Sequence, residues 1–84
     1  MDPERWLAQL RASLPGGAAA VTEAEREALL DLARVAAHSS ERWAAPVATF
    51  LAGVALSEVP SSERADVLRA LVTKLEATGP ADEA

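Results

Sequence analysis

His38, Ser39, Ser40 and Glu41 stand side by side and bring together an imidazole, two hydroxyls and a carboxylate, the residue types of a hydrolase triad. A triad, however, is built by a fold that converges three groups from different elements. Neighbours in sequence are not thereby aligned in space, and no G-x-S-x-G nucleophile elbow is present. A second chemistry fits the same stretch. Arg34, His38, Arg42 and Trp43 offer bidentate cations and a flat stacking face, which suit an anion, a nucleotide or a pterin-like group, with Glu41 beside them.

Other constellations are incomplete. One His with scattered carboxylates and no Cys does not supply a tetrahedral metal site, and the lack of Cys removes disulfides and thiolate nucleophiles as well. The sequence LPGGAAA matches neither a P-loop nor a dinucleotide-binding glycine fingerprint and reads as a turn. Glu23, Glu25, Glu27 and Asp31 have the spacing of a solvated helix face, not of an acid–base pair. The expectation is a chain that is not an enzyme and carries no metal and no cofactor.

The elements that must position these residues are all helical. The chain of 84 residues has no Ile, Asn or Tyr, contains 20 Ala and shows no period-two alternation. The pattern predicts one all-α domain over residues 1–84, a compact four-helix bundle with helices at about 3–14, 23–38, 46–57 and 62–78 and a frayed acidic tail at 80–84. Asp2 caps the first helix, Pro3 opens it, and Trp6, Leu7, Leu10 and Leu14 share one face until Pro15-Gly16-Gly17 stops it. Thr22 and Glu25 have capping-box spacing at the start of the second. Leu29, Leu32, Ala33 and Ala36 form its buried stripe, and an Asp31–Arg34 pair lies outside it.

The third helix reads as the centre of the fold, since Val47, Phe50, Leu51 and Val54 line one face and the small residues Ala45, Thr49, Gly53 and Ser57 another. A neighbouring backbone close to Gly53 would explain a glycine there, and Leu51→Ala is expected to cost about 2–5 kcal/mol. Ser61 or Ser62 caps the fourth helix, which turns Ala65, Leu68, Leu71, Val72 and Leu75 inward until Gly79-Pro80. Trp6 and Trp43 are the largest core fillers available, with anchorage of a partner as their second reading.

Charge and length narrow the partners. Thirteen acidic against eight basic residues give a net charge of −5, which opposes phosphate backbones and anionic membrane surfaces. The longest uncharged run, Trp43 to Ser57, has 15 residues and is too short to span a bilayer. MDPERW lacks the layout of a secretion signal, so the cytoplasm is the expected compartment.

The segment LLDLARVAAHSSERWAAPVATFLAGVAL, residues 29–56, resembles a family of small helical bacterial proteins carried as a domain of unknown function. The resemblance rests on Leu30 to Arg34, Ala37-His38, Glu41-Arg42, Ala44 to Pro46 and Phe50 to Gly53. The chain departs from the family pattern at Ser39-Ser40, where a glycine-containing pair is usual, and at Trp43, where proline is common. Similar domains occur beside or fused to guanylyltransferases of molybdenum-cofactor synthesis, which implies a non-enzymatic accessory domain with such an enzyme as its partner. Two other readings stand beside it: the small-ligand binder on Arg34, His38, Glu41, Arg42 and Trp43, and a homodimer whose pairing completes an undersized core.

Overall fold

The computed structural model describes residues 2–16 and 20–78, and its helices are α1 (Pro3–Ser13), α2 (Glu23–Ser39), α3 (Ala44–Ala55) and α4 (Ser61–Thr78). The chain is an all-α four-helix bundle, and among the described residues there is no strand. Gly17, the expected stop at Gly79-Pro80 and the acidic tail lie outside the described residues.

The helix starts follow local chemistry. The Asp2 carboxylate accepts a hydrogen bond from the Arg5 amide at 3.1 Å, with Pro3 in the first position. Gly16 closes the turn after α1 at φ +78°, a conformation that costs a glycine little. At α2 the capping box is complete: the Glu25 amide donates to Thr22 Oγ1 at 3.1 Å and the Thr22 amide donates to Glu25 Oε1 at 3.0 Å. Thr22→Ala is expected to destabilise the chain by about 1 kcal/mol, to be read from the urea midpoint.

Two starts differ from the sequence expectation. The third helix begins at Ala44 instead of Pro46, because the carbonyls of Glu41 and Arg42 already accept the amides of Ala44 and Ala45 at 2.9 and 3.1 Å. Pro46 sits within the first turn, where its missing N–H is no loss. Likewise Ser61 lies inside α4 and does not precede it, and the Glu63 amide donates to the Pro60 carbonyl at 2.9 Å.

The spine of the fold is α2, which packs against both α3 and α4. Its core consists of Ala28, Leu32 and Val35 on α2, Ala52 on α3, and Leu68 and Val72 on α4. Leu29, Ala48, Leu56, Leu71 and Leu75 pack half-buried around it. The inward face read for α4 is therefore the observed one, whereas on α2 the stripe is corrected by one step round the helix: of Leu29, Leu32, Ala33 and Ala36 only Leu32 is buried, the others are half-buried, and Ala28 and Val35 take the core positions that face α3 and α4.

For α3 the expectation is corrected. It buries only Ala52, while Phe50 is 70% and Leu51 60% exposed, with Val47 and Val54 also open to solvent. The helix turns its small side inward because a face of alanines brings the α3 backbone close to α2, and the large residues are left outside. Leu51 is thus not a core residue, and the cost assigned to truncating it moves to α2. Nor does any backbone approach Gly53: a Cβ built there would meet nothing within 4 Å.

The tryptophans are also corrected, since Trp6 is 53% and Trp43 64% exposed. Trp6 lies on α1, which buries none of its residues and is tied to α2 by an exposed Arg26–Glu4 ion pair of 3.3 Å. No helix of the described residues is long and apolar enough to cross a membrane.

Candidate functional site

The joint between α2 and α3 occupies residues 40–43, and an open groove of about 390 Å³ lies against it. The end of α2 contributes Val35, Ala36 and Ser39; the joint contributes Ser40 and Trp43; α3 contributes Ala44, Val47, Ala48 and Leu51; Leu75 and Thr78 close it from α4. Its walls are almost wholly apolar, so it offers a surface for hydrocarbon or aromatic groups and few polar anchors.

Of the five residues singled out by sequence, Trp43 lines this groove and Glu41 supports it. The Trp43 indole N–H donates to Glu41 Oε2 at 2.8 Å, which satisfies the indole and holds the ring beside the groove. Arg34 is turned away, because its guanidinium donates to Glu76 Oε2 of α4 at 3.0 Å and lies 3.8 Å from Asp31. The expected Asp31–Arg34 pair is therefore present, but within a network that joins α2 to α4. His38 and Arg42 are exposed, do not line the groove and have no ion-pair partner among the described residues.

Charged contacts that sequence alone did not reveal stitch α2 to α4. Asp31 accepts a hydrogen bond from Arg69, and that bond, followed by the nearby Arg69 and Arg34 charges, holds its carboxyl below the ordinary value in spite of some desolvation. Glu25 is buried, with Oε2 2.7 Å from Arg64 Nε. Burial works to raise its pKa, but the Thr22 amide and hydroxyl together with the Arg64 charge outweigh it, and the net effect is a lowered pKa. The capping-box spacing identified Glu25 as a helix start; its second role depends on Arg64, far away in sequence, and left no local signal.

The other hollows lie along α1, at the front of α3, and between α2, α3 and α4, where Glu25, Leu29, Gly53, Arg64 and Leu68 line a space of about 140 Å³. One of about 560 Å³ runs between Leu7 of α1, Leu29, Leu30 and Ala33 of α2, and Ala45 and Thr49 of α3. Among the described residues no group of three or more His, Asp or Glu is placed to hold a metal ion.

No curated protein and no solved structure matches the chain. A family model does match, over residues 2–83, and so spans every element described above. The chain belongs to the family described as a domain of unknown function, DUF6457.

Proposed function

We propose that this chain is a non-enzymatic helical interaction domain, working in the cytoplasm beside a partner protein. The observation that carries the reading is the outward face of α3, on which Trp43, Val47, Phe50, Leu51 and Val54 stand exposed on a helix without a single charged residue. Isolated exposed apolar residues are ordinary, but a run of large ones along one helix face marks a protein contact. The resemblance of residues 29–56 supplies the partner, a molybdenum-cofactor guanylyltransferase.

Mixing the purified chain with such a guanylyltransferase is expected to give a co-eluting complex, and Phe50→Glu is expected to dissolve it. Separate elution, together with unchanged molybdoenzyme activity in a strain lacking the gene, would overturn the assignment of this partner.

A second reading, a binder of anion, nucleotide or pterin-like groups at the joint, rests on the residue types there and on a groove of about 390 Å³, a volume within the range of small-molecule sites, although of the five residues only Trp43 lines it and its walls suit the flat face of a ring better than a charge. A thermal-shift screen with nucleotides, pterins and oxyanions is expected to show stabilisation under that reading, and a flat response across the screen removes it.

A further inference from the structure

The helix that buries none of its residues borders an apolar slot. At helical spacing α1 turns Leu7, Leu10 and Leu14 to one side, yet each keeps 37–41% of its surface exposed, and α1 packs closely on no other helix. The space of about 560 Å³ has Leu29, Leu30 and Ala33 of α2 on one side, Ala45 and Thr49 of α3 on the next and Leu7 of α1 on the third. The Thr49 hydroxyl is already occupied, since it donates to the Pro46 carbonyl at 3.0 Å. Arg26 is then the one charged residue lining this slot among the described residues. A second hollow of about 420 Å³ shares Leu7, Val21 and Arg26 with it and adds Glu4 and Arg11.

We infer that the slot is a binding site for a long-chain fatty acid, its hydrocarbon held between α1 and the crevice of α2 and α3 and its carboxylate at Arg26. Walls of this kind give water few hydrogen-bond partners, whereas hydrocarbon needs none. The volume lies within the range of small-molecule sites but holds little more than one turn of a helix about 10 Å across. A slender chain fits and a partner helix does not. None of Trp43, Val47, Phe50, Leu51 and Val54 lines the slot, so the inference does not depend on the reading of the outward face of α3.

Charge selects the head group. Among the residues that line the two hollows, Arg11 and Arg26 outnumber Glu4, in a chain whose net charge is −5. Glu4 meets Arg26 through one contact, Nη1 to Oε1 at 3.3 Å, which leaves most of the guanidinium donors free to grip a carboxylate. Arg11 has no ion-pair partner among the described residues. A neutral or cationic head would leave this surplus unanswered. The source is a free acid and not a lipid in an anionic bilayer, whose surface repels a chain of net charge −5.

Isothermal titration calorimetry of the full chain with saturated carboxylates of about 8 to 16 carbons is expected to show a dissociation constant that falls about fourfold per added methylene until the slot is full. Dodecanol, of the same length but uncharged, is expected to bind at least about tenfold more weakly than dodecanoate. Arg26→Gln is expected to weaken dodecanoate about tenfold and to leave dodecanol unchanged. Glu4→Gln frees the same guanidinium and is expected to strengthen dodecanoate binding. If the two residues served only to tie α1 down, both variants would weaken it. Ala33→Phe fills the slot and is expected to abolish binding of acid and alcohol alike. Leu7→Ala, on a helix that buries nothing, leaves the core untouched and is expected to weaken both several-fold, which keeps the test open should Ala33→Phe disturb folding.

The absence of heat and of thermal stabilisation with every carboxylate overturns the inference. An affinity indifferent to chain length, or dodecanol bound as tightly as dodecanoate, overturns it equally. So does binding to phosphatidylglycerol vesicles without binding of free acid, which would make α1 a surface helix and not the wall of a site.

Discussion

Leu32→Ala is expected to lower the unfolding free energy by about 3 kcal/mol, within the ~2–5 kcal/mol range of large-to-small changes in a packed interior. Leu32 is 2% exposed and lies on the one helix that contacts both α3 and α4. Deleting its branched end therefore opens a cavity between three helices. None of them can close it without dragging the other two, so relaxation is limited and the cost is high. For a chain of this length total stability is of the order of 4–12 kcal/mol, and the loss of a quarter or more should shift the urea midpoint visibly. Leu30 provides the contrast. Two residues away on the same helix but 65% exposed, it is expected to cost under about 0.5 kcal/mol when truncated. Equal effects at the two positions would mean that α2 is not the spine of the fold.

The second large effect is expected at Glu25. Glu25→Ala removes the acceptor for the Thr22 amide and strips the partly buried Arg64 of its counter-charge. Loss of the cap contributes about 1 kcal/mol, and an unpaired guanidinium at the α2–α4 seam adds more, for a total of about 2–3 kcal/mol. Arg64 keeps some access to solvent, so the full penalty of a deeply buried charge does not apply. A double-mutant cycle with Arg64→Met separates the ion pair from the cap, and a coupling below about 0.5 kcal/mol would show that the pair contributes little.

The same carboxylate makes stability depend on pH. The folded pKa of Glu25 lies below its ordinary value of 4.5, so its contribution is fully present above that value and is lost as pH falls through the folded one. Asp31, lowered from 3.8 by the hydrogen bond from Arg69, acts in the same direction at somewhat lower pH. Stability carried by these two groups is therefore expected to be level from neutrality to about pH 5 and to decline below about pH 4.5. Glu25→Gln, whose side chain does not titrate there, should flatten the upper part of that decline. An unaltered acid profile in this variant would remove Glu25 as a source of the pH dependence.

Much of the fold was legible because it depends on local chemistry. Asp2 before Pro3, and Thr22 three residues ahead of Glu25, mark helix starts through hydrogen bonds that span a single turn. In α4 the apolar residues at helical spacing leave one way to face the core, with Leu68 and Val72 inward; on α2 the same pattern marks Leu32 but neither the burial of Glu25 nor the exposure of Leu30. The candidate site was legible only as a place. The joint holds Trp43 and Glu41 together, but Arg34 is drawn off to Glu76 on α4, a partner that lies 42 residues along the chain.

What the sequence by itself determined is the set of four helices, the caps at Asp2 and Thr22 and the inward face of α4, since each follows from contacts within a turn or from a face that only one environment can accept. Tertiary structure alone decided which side of α3 is buried. Every side of that helix is apolar or small, so periodicity cannot choose between them, and the choice falls to how closely two backbones can approach. The alanine face allows the closer approach to α2. Trp43, Val47, Phe50 and Leu51 consequently stand outside, exposed on the face of α3 turned away from Ala52 and along the groove beside it.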